Sequence, residues 1–185
     1  MADDAAARPG LDHLWAGWRS SYIESFGADG GAGGANAPRP VPTGDGSLFE
    51  RVLTLPDDEA FVIHRGELCS ALLNAYPYAS GHVLVLPNVA RAALTDLTDG
   101  EHAELWAMVR STATALEVAY RCDGINIGMN LGTAGGAGVP DHIHAHVLPR
   151  WIGDTNFMTS IADARVLPEP LGLTWRKLRE AWPRD

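Results

Sequence analysis

Residues 142–148 read His142-Ile143-His144-Ala145-His146-Val147-Leu148, three imidazoles alternating with apolar side chains and followed by Pro149. Side chains along a strand point alternately to its two faces. The run therefore predicts a strand over 142–148, with Ile143, Ala145 and Val147 turned into a core and the three histidines turned the other way. Any fold of this chain must cover one face of that strand and keep something useful on the other. Neighbouring imidazoles on it would stand ~7 Å apart, two steps of about 3.3 Å each. A lone strand histidine is more often structural than functional. Three in register gain nothing in packing, so they point to a site.

The rest of the chain supplies the covering elements. Phe61–His64, Leu68–Leu73 and His82–Leu86 are short apolar strand candidates, separated by turns at Arg65-Gly66 and Tyr76–Gly81. Thr98 with Glu101 three residues on is a capping-box signature. Leu105, Val109, Thr112, Leu116 and Tyr120 then share one helical face, predicting a helix from Asp99 to Tyr120. Ile125, Ile127 and Met129 alternate with polar or small residues and predict another half-buried strand. Leu171, Trp175, Leu178 and Trp182 suggest a C-terminal helix. The expected fold class is α+β, with a mostly antiparallel sheet, one long helix and a C-terminal helix.

Upstream, residues 1–10 read as a loose tail. Leu11, Leu14, Trp15, Trp18, Tyr22 and Ile23 predict a helical arm over 11–26. Residues 27–46 hold seven glycines and three prolines, too little apolar surface to offset ordering entropy, and read as a flexible linker or long loop. The compact domain is expected over 47–185.

With 14 Lys+Arg against 23 Asp+Glu the chain is net negative, and Lys177 is its one lysine. That balance argues against a nucleic-acid partner. The opening Met1-Ala2-Asp3-Asp4 is acidic, no apolar run reaches the ~18 residues of a membrane span, and Cys69 and Cys122 form no disulfide framework. The expected setting is cytoplasmic, without a membrane partner.

Two chemistries suit an imidazole row. Neutral imidazole is a common metal ligand, and histidines two apart on a strand can reach one ion. Neutral imidazole is also a nucleophile, provided one nitrogen is kept free of its proton and donors hold the anion it attacks. The glycine-rich stretch Gly132–Gly138, four residues before the first histidine, lets backbone N–H groups approach a phosphate.

The row followed by Pro149-Arg150-Trp151 and Gly153-Asp154 resembles the dinucleoside polyphosphate branch of the histidine triad family. Leu73–Tyr78, Gly81–Val85 and Pro87 resemble that family's nucleotide-binding hairpin. Leu14-Trp15, Trp18-Arg19 and Asp154–Met158 resemble actinobacterial members that phosphorolyse diadenosine tetraphosphate. The resemblance implies a histidine triad fold, a homodimer or higher homo-oligomer, and attack by His144 on an α-phosphate to give a nucleotidyl-histidine. Catalytic roles fall to His142, His144 and His146. Nucleotide contacts fall to Leu73 (base), Asn74 (ribose), His82, Asn130, Gly135, Gly136, Ala137 and Gly138, with Trp151 stacking on a base or packing at a strand end. Arg150 is read as meeting a phosphate or pairing with an acidic neighbour.

Two departures from the family pattern refine this. Zinc-containing members carry Cys-x-x-Cys near the domain start and a histidine after the third strand. This chain has Ser47-Leu48-Phe49-Glu50 and Pro87-Asn88-Val89-Ala90 there. No structural zinc and no other cofactor is expected. Many family hydrolases carry glutamine six residues before the nucleophile, where this chain has Gly138. The function expected is phosphorolysis of diadenosine tetraphosphate with inorganic phosphate. The alternatives are hydrolysis of dinucleoside polyphosphates or nucleoside phosphoramidates and, from another class, metal binding by the histidine row.

Overall fold

The computed structural model describes residues 41–154 and 169–184. The expected tail and arm, residues 27–40 of the linker and the stretch 155–158 lie outside the described residues. Residues 41–46 are neither helix nor strand.

Two short helices come first, α1 (Leu48–Leu53) and α2 (Asp57–Ala60). Strands β1 (Val62–Arg65), β2 (Cys69–Leu73) and β3 (Val83–Pro87) follow, then a 3-10 turn (Leu94–Asp96) and helix α3 (Asp99–Tyr120). Strands β4 (Gly124–Met129) and β5 (Ala145–Arg150) precede the C-terminal helix α4 (Leu171–Ala181). All five strands pair antiparallel in the order β1-β2-β3-β5-β4. Among the described residues no helix is long and apolar enough to cross a membrane.

Helix α3 occupies its expected span. Thr98 Oγ1 accepts the Glu101 N–H at 3.2 Å, and the Glu101 carboxylate accepts the Thr98 N–H at 2.8 Å. Its buried side chains include Leu105, Met108, Val109, Thr112, Ala115 and Leu116, spaced three and four apart. They pack on Cys69, Ala71, Leu73, Val83, Val85, Ala145 and Val147, which are alternate residues of β2, β3 and β5. Helix α4 adds Leu171 and Leu178 to that core, and its Trp175 Nε1–H donates to the Val62 carbonyl at 2.8 Å. The opposite face of the sheet carries Leu72, Leu84 and Leu86, covered by Phe49 of α1 and by Ala60.

Three expectations need correction. Helices α1 and α2 did not figure in the sequence reading. Ser47 and Glu50 form a full capping box for α1, so the Ser-x-x-Glu signal was present in the sequence. The histidine strand starts at Ala145 rather than His142 and runs through Pro149 to Arg150. Pro149 is tolerated because β3 pairing ends at Val83↔Val147, leaving that side of β5 without a ladder while β4 continues to pair on the other through Ile125↔Pro149. Strand β4 is half-buried at Ile125 and Met129, which pack against the α3-side core, but Ile127 is 48% accessible, because α3 packs over β2, β3 and β5 while β4 forms the open edge.

The β2–β3 connection turns at Gly81, where φ is +83°. A Cβ there would come within 3.0 Å of Pro149 and 3.1 Å of Leu116 and Tyr120, so both conformation and space require glycine. That tight packing sets His82 beside β5.

Candidate active site

Three of the four site histidines do not lie in strands. His82 precedes β3, while His142 and His144 lie in the segment leading into β5; His146 belongs to β5 itself. The segment leaves the ladder because β3 offers its last partner at Val85↔Ala145. Beyond that point the Pro87 carbonyl accepts from the His142 imidazole at 2.8 Å, and the Arg91 carbonyl accepts the Ile143 N–H at 2.7 Å. Ile143 is buried, as expected. The rings of His144 and His146 lean together, with centroids 4.9 Å apart and planes at 70°, closer than the spacing expected of a flat strand. His82 and His146 are 5.1 Å apart, and Tyr78 lies 4.6 Å from His82. Phe49 presents itself to both His142 and His144 at 5.4 and 5.1 Å.

The proton positions follow from partners whose roles are fixed. A carbonyl only accepts, so the 3.0 Å contact from His144 Nδ1 to the His142 carbonyl puts the proton on Nδ1 and leaves Nε2 as a bare lone pair. A backbone N–H only donates. The Tyr78 N–H, 3.1 Å from His82 Nδ1, makes that nitrogen an acceptor. Asn74 agrees: its Oδ1 accepts the Tyr76 N–H, which turns its amide nitrogen toward His82 Nδ1 at 3.3 Å. His82 therefore carries its proton on Nε2 and donates to His146 Nδ1 at 2.9 Å. His146 is left with its proton on Nε2. A nucleophilic lone pair on His144 and an N–H donor on His146 thus stand on neighbouring rings.

His142 is wholly buried and His144 is 6% exposed. Burial pushes both imidazoles below their ordinary value of 6.5, because desolvation penalises the charged form. A folded value below the unfolded one means that these groups stabilise the fold above pH 6.5. That contribution is lost as pH falls through the depressed values. Activity should follow the same sign. The acid limb of a kcat/KM profile, which reports the free enzyme, is expected below pH 6.5. A limb at or above that value would contradict a buried neutral His144.

The other sequence candidates sort as follows. Asn74 is committed to its turn and to His82. Leu73 is 3% exposed and sits in the α3-side core, whereas its neighbour Leu72 faces Phe49. Gly132–Gly136 fold as turns, with the Gly136 and Ala137 N–H groups donating to the Thr133 and Gly132 carbonyls. A Cβ at Gly135 would meet the Leu131 carbonyl oxygen at 2.3 Å, so this position is sterically restricted to glycine. Gly138 is exposed and Asn130, just past β4, is half-buried. Arg150 grips both Asp154 oxygens at 2.6 Å and Asn126 Oδ1 at 2.7 Å, the acidic pairing read as one of its two options. Trp151 packs edge-on to Tyr120 at 6.0 Å. An open cleft of about 260 Å³ touches Ser47, Arg51 and residues 138–141; its lining contains no histidine, and it meets the imidazole row through Ser47, which bonds His142.

Sequence reasoning missed Ser47, Phe49 and Tyr78 as neighbours of the histidines. As for a metal, no group of three His, Cys, Asp or Glu side chains among the described residues is placed to hold one. Both nitrogens of His142, Nδ1 of His144 and Nδ1 of His146 are already committed.

A five-stranded antiparallel sheet with a long helix behind it and an interlocked row of imidazoles in front is the architecture of a histidine triad protein. The family model described as "HIT domain" matches residues 56–151. The chain is 38% identical over 182 residues to "AP-4-A phosphorylase" of Mycobacterium tuberculosis, covering 96% of this chain and 88% of that protein. It is 38% identical over 89 residues to "Bis(5'-nucleosyl)-tetraphosphatase [asymmetrical]" of Schizosaccharomyces pombe, covering 48% of each chain. A Zn-bound histidine triad family protein from Mycobacterium smegmatis superposes with a TM-score of 0.60 at 30% identity, covering 73% of this chain and 91% of that one. The chain belongs to the HIT domain family.

Proposed function

We propose that the protein is a dinucleoside polyphosphate phosphorylase working through a nucleotidyl-His144 intermediate. The observation that carries this is the bare Nε2 of His144 beside the N–H donor of His146. The likeness to the mycobacterial phosphorylase over nearly the whole chain supports the substrate class. With diadenosine tetraphosphate, His144 Nε2 attacks an α-phosphorus. The new N–P bond forms as the P–O bond to the β-phosphate breaks, and ATP leaves with that electron pair. The His146 ring stands 4.9 Å from that of His144, and its Nε2–H is suited to donate to a phosphoryl or leaving oxygen. Inorganic phosphate then attacks the adenylyl group, the P–N bond breaks and ADP is released. Water in the same role would give AMP. Gly138, without a side chain, would leave room for the second anion where many hydrolases of the resembled family carry glutamine.

The purified protein is to be incubated with diadenosine tetraphosphate, with and without inorganic phosphate, and the nucleotides separated. ATP plus ADP formed only with phosphate is the expected result. ATP plus AMP, or ADP alone, formed regardless of phosphate would make it a hydrolase. Gly138→Gln is expected to raise the AMP share in the presence of phosphate; an unchanged product ratio would remove Gly138 as the acceptor determinant.

A further inference from the structure

The sites that hold zinc in other family members are brought together here by hydrogen bonds instead. Ser47 Oγ lies 2.6 Å from His142 Nδ1, with both residues buried and 95 positions apart in sequence. The His142 Nε2–H is spent on the Pro87 carbonyl, so Nδ1 accepts and the serine hydroxyl donates. Ser47 Oγ also accepts the Glu50 N–H at 3.2 Å. The Glu50 carboxylate spans the gap between two segments. One oxygen accepts the Ser47 N–H at 2.7 Å and the other the Ala90 N–H at 3.0 Å. The 87–91 segment closes the ring through the Arg91 carbonyl to Ile143 N–H.

These donors do not fit a zinc ion. Both His142 nitrogens are in use, both Glu50 oxygens accept backbone protons, and no thiolate stands by, since the Cys69 thiol points to the Glu101 carbonyl. Burial also pushes the Cys69 thiol up to about 12, away from the thiolate a metal needs.

We infer that Ser47 and Glu50 are positioning residues for His144, forming a hydrogen-bonded clamp that does the mechanical work of a structural metal. The route is short. His144 Nδ1–H donates to the main-chain carbonyl of His142, so whatever holds His142 sets which nitrogen of His144 is bare and where it points. Ser47 holds one side of the His142 ring and Pro87 the other. Glu50 fixes Ser47 against the segment that carries Pro87. The clamp rests on the reading of His144 as nucleophile only for its kinetic consequence; the geometry stands without it.

The test is a small variant set. Ser47→Ala removes the donor and is expected to lower kcat on the order of tenfold to a hundredfold, with KM within about twofold, as misorientation of a reacting group does. Ser47→Gly should lose as much, although glycine caps a helix almost as well as serine. That loss separates proton donation from helix capping. Ser47→Thr keeps the hydroxyl, has the adjoining cleft for its methyl, and should restore kcat. Glu50→Gln sets an amide N–H against a backbone N–H and should fall between. Imidazole nitrogen NMR reads the clamp without turnover: the wild type should show single tautomers, Nε2–H for His142 and Nδ1–H for His144, and Ser47→Ala should shift the His142 Nδ1 signal, which loses its donor, and with it the signals of His144, which Ser47 does not touch. Elemental analysis should find zinc far below one ion per chain. Wild-type kcat or unchanged imidazole spectra in Ser47→Ala, or stoichiometric zinc, would overturn the clamp. If the wild type forms no nucleotidyl-histidine, the proposed function falls. The imidazole spectra then decide the clamp alone.

Discussion

His144→Ala should lower kcat by at least about 10⁴-fold, because removing the proposed nucleophile leaves only positioning and charge stabilisation. The fold should survive. His144 lies outside the strand ladder, and its loss removes one hydrogen bond to the His142 carbonyl and ring contacts with Phe49 and His146. An unpartnered buried acceptor costs about 1–3 kcal/mol, which lowers Tm by several degrees without unfolding the domain. The check is a kinetic assay beside intact-mass spectra of protein mixed with substrate. The wild type should carry a nucleotidyl adduct and the variant none. Activity within tenfold of wild type would remove His144 from the nucleophile's role.

Leu105→Ala should do the reverse. Leu105 is fully buried in the core between α3 and the sheet, on the face away from the imidazoles. Truncating such a leucine removes transfer free energy and leaves a cavity, a loss of about 3–5 kcal/mol. In a domain of this size that corresponds to a fall in Tm on the order of 10 °C. The kcat of the folded fraction should be unchanged, since Leu105 lies on the α3 side of the sheet and His142 and His144 pack on Phe49 of the other side. Urea melts measure the first quantity and assays well below Tm the second. A loss under about 1 kcal/mol would mean that the α3 face is not the main core. The pair of variants separates a residue that does chemistry from one that holds the fold.

Where a signal is local, it was readable. Helix α3 begins at a capping box and keeps its apolar residues on one face for 22 residues, so its bounds could be read from propensity and period. Strands β2 and β3 are short apolar runs ended by turn residues. Helix α1 had an equally local signal, Ser47 with Glu50, yet its six residues are too few for a period to show. The exposure of β4 at Ile127 had no local signal at all. Ile127 alternates like a half-buried residue, and only the edge position of its strand leaves it uncovered.

The candidate site divides along the same line. Alternation over 142–148 decided that Ala145 and Val147 face the core and that His144 and His146 share the other face, because side-chain direction in extended chain is set by the backbone alone. The identity of the histidines, the glycine loop before them and the family they mark were legible for the same reason: they are contiguous. For His142 and His146, which nitrogen bears the proton is not contiguous information. It depends on the Pro87 carbonyl, 55 positions from His142, and on His82, 64 positions from His146. A tautomer is chosen by the partner that packing delivers to each ring nitrogen. The residue types of the site were therefore determined by the sequence, and its reactive form by the tertiary structure.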